Sequence, residues 1–419
     1  MQASFYTRLA ASLVLILGVV WMATRQSFFT DTLTSLFLAV AICSLFFIML
    51  RTGTSIWEVA GVSAISASLW VIDVRFLGFQ PHGSIYGFFP AIGGSFLGIG
   101  ALVMLVYRVI WRTGDRRRLA LYTLIPACLF VSSEWCASYF LVWTGELHPK
   151  VLDLYLYSFD ASLHVQPSFV MGQLFARWQW LSVTSFVVYV GLPVAIGMVF
   201  AGCLMNDRKK AVPSFVALLL TGPLGVIFYN IFPALGPHHL IQGFPWQVLS
   251  YEQARRLFVE PLALPGFRNA IPSLHAAWMY LVCWYARGLS AVEKAGAYFF
   301  LFFTLCFTLG SGEHYFIDLV VAVPFTILVI SVTDLLTGQK LADVTVPLVT
   351  GLGFTVGWLI ALRFALRFFW VSPLIPWLSC ALTIFICVLA AKRLLNLERQ
   401  VDRNTSSTFV QGVVEAVPE

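Results

Sequence analysis

The chain has 419 residues, of which 59% are hydrophobic, 16% aromatic and only 11% charged. An ordinary soluble domain carries roughly 25% charged residues. A surface built from this composition would not stay in water, which excludes a soluble enzyme, a disordered regulator and a disulfide-stapled secreted domain. The net charge of +6 falls in short basic clusters with no long basic stripe, which argues against a nucleic-acid partner.

What remains is an all-α polytopic membrane protein. A spanning helix needs about 20 mostly apolar residues, and the apolar runs here are long and continuous rather than alternating, which disfavours a β-barrel. In chain order they predict about twelve spans, at roughly 8–24, 32–50, 56–78, 86–111, 119–143, 180–204, 213–232, 271–288, 295–310, 314–335, 344–362 and 372–391. The first reads as a retained signal anchor, because its n-region holds only Arg8 and no clear small-residue cleavage site follows. Asp73 and Arg75 read as an interfacial pair near the end of the third span. Gly94-x3-Gly98 in the fourth reads as helix packing. Glu134, inside the fifth, reads equally as a packing residue and as a proton relay or substrate contact. The eight cysteines lie in apolar runs without a C-x-x-C pair, so neither a disulfide framework nor a zinc site is expected.

Orientation follows from the basic loops. Arg51, the Arg112–Arg118 cluster, Arg208 to Lys210, Arg287 with Lys294, and Lys392 with Arg393 and Arg399 all follow even-numbered spans. That side is expected to be cytoplasmic, with both termini inside, and Arg363 and Arg367 dissent mildly. All seven histidines, His82, His148, His164, His238, His239, His275 and His314, then fall in or beside outer loops. Two outer segments are long. Within 144–179, Leu152, Leu154, Leu156, Phe159 and Leu163 fit a short amphipathic element lying at the interface. The segment 233–270, with Pro233, Pro237, Pro245, Pro261 and Pro265, reads as an ordered loop with turns rather than a helix. From about 400 the chain reads as a polar disordered tail.

Two strings carry chemistry. Arg268-Asn269-Ala270-Ile271-Pro272-Ser273-Leu274-His275 ends an outer loop and opens the eighth span. Proline suits a first helical turn. The free N–H groups of such a turn form an anion site, to which Arg268 and Ser273 add donors. His275 follows where a proton could reach an anionic ligand. Gly310-Ser311-Gly312-Glu313-His314-Tyr315-Phe316-Ile317-Asp318 opens the tenth span. His314 and Asp318, four apart, share a helical face. The carboxylate can fix the ring's tautomer and leave the other nitrogen as a nucleophile. The glycines allow backbone to approach a phosphate closely. His275 and His314 are 39 positions apart, which suits one span in and one span out, at the same outer depth.

These strings resemble the type 2 phosphatidic acid phosphatase superfamily of membrane lipid phosphatases and phosphotransferases. Its motifs are K-x6-R-P, P-S-G-H and S-R-x5-H-x3-D. Pro272-Ser273-Leu274-His275 matches the second with Leu274 for Gly, and His314-x3-Asp318 matches the end of the third. The P-S-L-H and H-Y-x2-D variants, with Tyr229 to Pro237, resemble the branch that contains inositol phosphorylceramide synthase. There is no K-x6-R-P, and the third motif's Arg would fall at Thr308. Arg268, His238 or His239 would substitute, and the loss fits a transferase better than a generic phosphatase.

The resemblance implies a six-span catalytic bundle and a two-step displacement without metal or cofactor. His314, oriented by Asp318, would form a phosphohistidine. His275 would protonate the leaving group and then deprotonate the acceptor. Arg268, Ser273 and the Gly312 backbone would hold the phosphoryl oxygens. The substrate would be a phospholipid, a sphingolipid or a polyprenyl phosphate, handled at the outer face of a bacterial inner membrane. The expected division is a four-span region over 1–118, the six-span catalytic domain over 119–336, a two-span region over 337–399 and the tail over 400–419. Hydrolysis with water as acceptor remains open, as does a transporter or flippase that binds phosphorylated lipid without cleaving it. A silent scaffold is disfavoured by intact His275, His314 and Asp318.

Overall fold

The computed structural model describes residues 36–72, 75 and 94–414. It is 80% helical with almost no strand, as the apolar runs demand. The first part of the chain gives α1 (Leu36–Arg51), α2 (Ile56–Ile72), α3 (Gly94–Trp111) and α4 (Gly114–Leu147). Then come β1 (Lys150–Val151), α5 (Asp153–Ser162), α6 (Pro167–Arg177), α7 (Gln179–Val190), α8 (Leu192–Asn206) and α9 (Arg208–Ile231). The long loop carries α10 (Pro237–Leu240), α11 (Tyr251–Arg255) and β2 (Leu262–Ala263). The last part holds α12 (Leu274–Ala286), α13 (Ala291–Gly310), α14 (Phe316–Leu336), α15 (Leu341–Phe364), α16 (Leu366–Phe369) and α17 (Leu374–Val414).

Among the described residues, α9, α13, α14, α15 and the first part of α17 are long and apolar enough to cross a membrane. The pair α7 and α8, bent by 51°, makes a sixth crossing if it acts as one span. These helices are those of an integral membrane protein. The larger expected count is not reached among the described residues. The first expected span, the start of the fourth, His82 and Asp73 lie outside the described residues, as does the Glu134 side chain. The eighth expected span is helical only over the 13 residues of α12, about 20 Å of rise against a hydrocarbon core of about 30 Å. The expected disordered tail also differs, since α17 continues to Val414. Its stretch from Ala390 to Arg403 is rich in Ala, Leu, Glu, Gln, Lys and Arg and holds no Gly or Pro, so nothing there stops a helix.

The chain forms two compact units, each drawn from three separate segments. The first comprises Met1–Phe140, Val183–Leu219 and Val282–Thr304. Its core gathers Leu45, Met49, Val62, Ala101, Leu105 and Ala127 from α1 to α4. Gly98 fits its role in packing, because a Cβ there would run into the Ile42 backbone. Buried charge in this unit is paired. Arg108 donates to both Glu58 oxygens, from Nε at 3.0 Å and from Nη2 at 2.9 Å, and to Thr54 at 2.7 Å.

The second unit comprises Leu141–Ser182, Leu220–Leu281 and Leu305–Glu419. It holds α14, whose buried residues run along nearly its whole length. The two long connections are tied by an antiparallel β1–β2 pair, Lys150 opposite Ala263 and Val151 opposite Leu262. The 233–270 segment is otherwise loop with two short helices, as its prolines require. The element expected to lie at the interface is instead buried. In α5, Asp153, Leu156 to Ala161 and Ser162 are all buried, leaving only Leu154 and Tyr155 partly exposed. Phe159 packs edge-on to Trp358 and Phe369. The Trp370 indole donates to Ser158 at 3.0 Å, and that of Trp377 donates to the Leu163 carbonyl at 3.1 Å. The polar residues of α5 find partners inside the unit, so the helix has no water-facing side.

Candidate active site

The site is built on the N-terminus of α14. A helix leaves its first N–H groups without intrahelical partners, and here two carboxylates take them. Asp318 Oδ2 accepts from the Tyr315 N–H at 2.8 Å. Asp160, one turn from the end of α5, accepts from Phe316 at 2.7 Å and Ile317 at 3.2 Å. Negative charge at this end is also favoured by the helix dipole.

His314 stands immediately before this turn, with its backbone held on both sides. Its N–H donates to the Thr308 carbonyl at 3.1 Å, and its carbonyl accepts from the Ser168 hydroxyl at 2.8 Å. Nδ1 of the ring lies 2.9 Å from the Ala270 carbonyl and 3.4 Å from Asp318 Oδ2. Both partners are acceptors, so Nδ1 carries the proton and the lone pair is on Nε2. Nε2 faces Ser273 Oγ at 3.2 Å, and the serine hydroxyl is the donor of that bond. The Ser273 N–H donates to the Asp318 carbonyl at 3.2 Å, which joins the two sequence strings at their ends. His275, second residue of α12, is half-buried and packs edge-on to Trp278. The structure thus brings His314, Asp318 and Ser273 together, with His275 two residues beyond Ser273 at the start of α12.

The other expected phosphate contacts are differently placed. Arg268 is buried, and its guanidinium donates to the His148 carbonyl from Nε at 2.8 Å and from Nη2 at 2.6 Å. Nη1 donates to the Gly266 carbonyl. Burial lowers its pKa from the usual arginine value, and the charge of Asp153 offsets this. Gly312 donates its N–H to the Leu309 carbonyl at 3.0 Å, so that donor is occupied. Its carbonyl accepts from the His238 N–H at 3.1 Å and lies 2.9 Å from His238 Nδ1. Only glycine fits there: φ is +76°, and a Cβ would stand 2.8 Å from the His238 Cβ. Gly236 is the counterpart, since its Cβ would stand 2.6 Å from the Gly312 carbonyl oxygen.

His238 and His239 are stacked at 3.8 Å. With Glu313 they offer three ligand atoms within 4.8 Å of one another, a grouping that could hold a metal ion where none was expected. Burial lowers the pKa of His239, and the neighbouring His238 lowers it further.

Two buried carboxyl groups beside the site, Asp153 and Asp160, escape a sequence reading. Asp153 Oδ1 accepts from the Gly236 N–H at 2.9 Å and the Tyr315 hydroxyl at 3.1 Å, and the same carboxylate accepts from the Leu235 N–H. Burial pushes its pKa up to about 7, against the pull of those N–H groups. Asp160 is raised well above the usual carboxylate range by burial, opposed by the Phe316 N–H. Tyr315 is 1% exposed, so it neither faces lipid nor lines an open site. The available signal was Asp153-x6-Asp160 in an apolar stretch. That spacing is two helical turns and puts both carboxylates on one face.

No curated protein and no solved structure matches the chain. Residues 154–332 match the family model of the PAP2 superfamily, a stretch that contains Asp160, Arg268, Ser273, His275, His314 and Asp318. The match supports, for this segment, a superfamily that is generally enzymatic, its members being phosphatases and phosphotransferases that act on phosphorylated lipids.

Proposed function

We propose that the chain is a membrane lipid phosphotransferase of the inositol phosphorylceramide synthase-like kind, with the phosphatase reaction as its counterpart when water is the acceptor. The observation that carries this reading is the His314 ring. Two acceptors hold Nδ1, so Nε2 is the nucleophilic nitrogen. In the first step Nε2 attacks the donor's phosphorus. A P–N bond forms, the P–O bond to the leaving group breaks, and His275 delivers a proton to the departing oxygen. In the second step an acceptor hydroxyl attacks, His275 takes its proton, the P–O bond forms and the P–N bond breaks. The ring needs no metal-activated water for either displacement.

Ser273, already on Nε2, is the nearest donor for a phosphoryl oxygen. Arg268 adds positive charge from its place on the His148 carbonyl, and two of its five N–H groups remain for substrate. His238 and His239, beside the Gly312 turn, are the further candidates for the phosphate side. The basic loops support an outward-facing site with both termini cytoplasmic.

The test uses the purified full chain with phospholipid, sphingolipid and polyprenyl-phosphate donors, with and without hydroxyl acceptors. Turnover should vanish in His314→Ala and fall roughly 100-fold in Asp318→Asn, the scale of losing a ring-orienting partner. Product that grows with the hydroxyl acceptor marks transfer, and phosphate release alone marks hydrolysis. Equal turnover by His314→Ala overturns the proposal.

A further inference from the structure

Resting on the proposed role of His314, we infer that Asp153 is a positioning residue that sets the His314 ring from outside the sequence motifs, by two hydrogen-bonded routes that converge on it. One route runs through the helix start. Asp153 holds the Tyr315 hydroxyl at 3.1 Å, Tyr315 donates its N–H to Asp318 Oδ2, and that oxygen lies 3.4 Å from His314 Nδ1. The other runs through the loop. Asp153 accepts from the N–H groups of Leu235 and Gly236. The preceding Ala234 carbonyl accepts from the Ala270 N–H at 3.1 Å, and the Ala270 carbonyl meets Nδ1 at 2.9 Å. Every atom along both routes is in a buried residue, so water cannot replace a lost link.

The arrangement is more than a packing contact. Both oxygens that select the Nδ1–H tautomer of His314 depend on segments that Asp153 pins. The loop can sit this close only because Gly236 lacks a side chain against the Gly312 and Glu313 backbone. A shift of either oxygen would let the ring turn away from the donor's phosphorus, and misplacement of about 1 Å can cost about 100-fold in rate.

The test compares kcat and KM for the full-length protein in detergent with a phospholipid donor. Asp153→Asn keeps the volume but loses acceptor capacity, and is expected to lower kcat by roughly 30- to 100-fold with KM changed less than about 3-fold. Tyr315→Phe removes one route only and should lower kcat by about 3- to 10-fold, which keeps the test open if Asp153→Asn fails to fold. Ser158→Ala, on the same helix, removes the acceptor of the Trp370 indole and serves as the stability control. It should lower Tm while leaving kcat within about 2-fold. The inference is overturned if Asp153→Asn and Tyr315→Phe keep wild-type kcat, or if Ser158→Ala loses as much kcat as either. Wild-type turnover in His314→Ala would instead overturn the proposed function, so the two failures are distinct.

Discussion

The two units treat buried charge in opposite ways. In the first, Glu58 is matched by Arg108 through two charge-assisted bonds, with Arg112 at 3.5 Å and Thr54 completing the set. In the second, Asp153, Asp160 and Asp318 are buried and meet backbone N–H groups, a tyrosine hydroxyl and a histidine, with no salt bridge to lysine or arginine among the described residues. An ion pair with matched partners holds helices together. Carboxyl groups held by neutral donors instead fix the backbone and ring positions around them, and here the ring is that of His314.

The largest effect that sharpens this contrast is local to the second unit. His314→Ala should lower turnover by at least about 10⁴-fold, because it removes the proposed nucleophile, with a smaller fall in Tm from the lost bonds to Ala270, Asp318 and Ser273. Glu58→Ala should do the reverse. It strands a buried guanidinium and should cost about 3–5 kcal/mol of stability, read as a fall in Tm, while the surviving folded protein keeps kcat within about 2-fold. A large loss of kcat at constant Tm in Glu58→Ala would erase the distinction between the units.

A smaller effect lies in pH. Asp153 has a folded pKa of about 7, above its unfolded value. Its contribution to stability is therefore fully present below the unfolded pKa and is lost as pH rises through about 7. The groups facing it, Tyr315, Asp318 and Arg268, come from the 314–318 turn and the loop before α12. Stability should fall between pH 4 and pH 8 by on the order of 4 kcal/mol from this group. Asp153→Asn should flatten that slope in thermal unfolding scans, and an unchanged slope would contradict the assignment.

Much of this was legible where the chemistry is local in sequence. Pro272 to His275 and His314-x3-Asp318 announce themselves by residue type and spacing, although Pro272 and His314 stand just ahead of α12 and α14 rather than on a face of them. Apolar runs likewise announce the helices, though not that α12 stops after 13 residues. Backbone partners are illegible in principle, and the Ala270 carbonyl, the closest partner of His314 Nδ1, has no side-chain signature. Arg268 reads as a phosphate ligand from its charge, yet its guanidinium bonds to the His148 and Gly266 carbonyls, 120 and two residues away. The apolar periodicity of α5 is real, but periodicity does not say whether the polar face meets water or buried N–H groups. Asp153 and Asp160 meet the latter, so a helix expected at the interface became part of the site.

The central claim is that His314 carries the phosphoryl group. The most direct measurement is to quench the full-length protein during turnover of a donor labelled in its phosphorus, and to map the label. The account predicts an acid-labile, alkali-stable adduct on His314 that is absent in His314→Ala and released when an acceptor hydroxyl is added. A label on another residue, or full turnover with no adduct in a rapid quench, would contradict it.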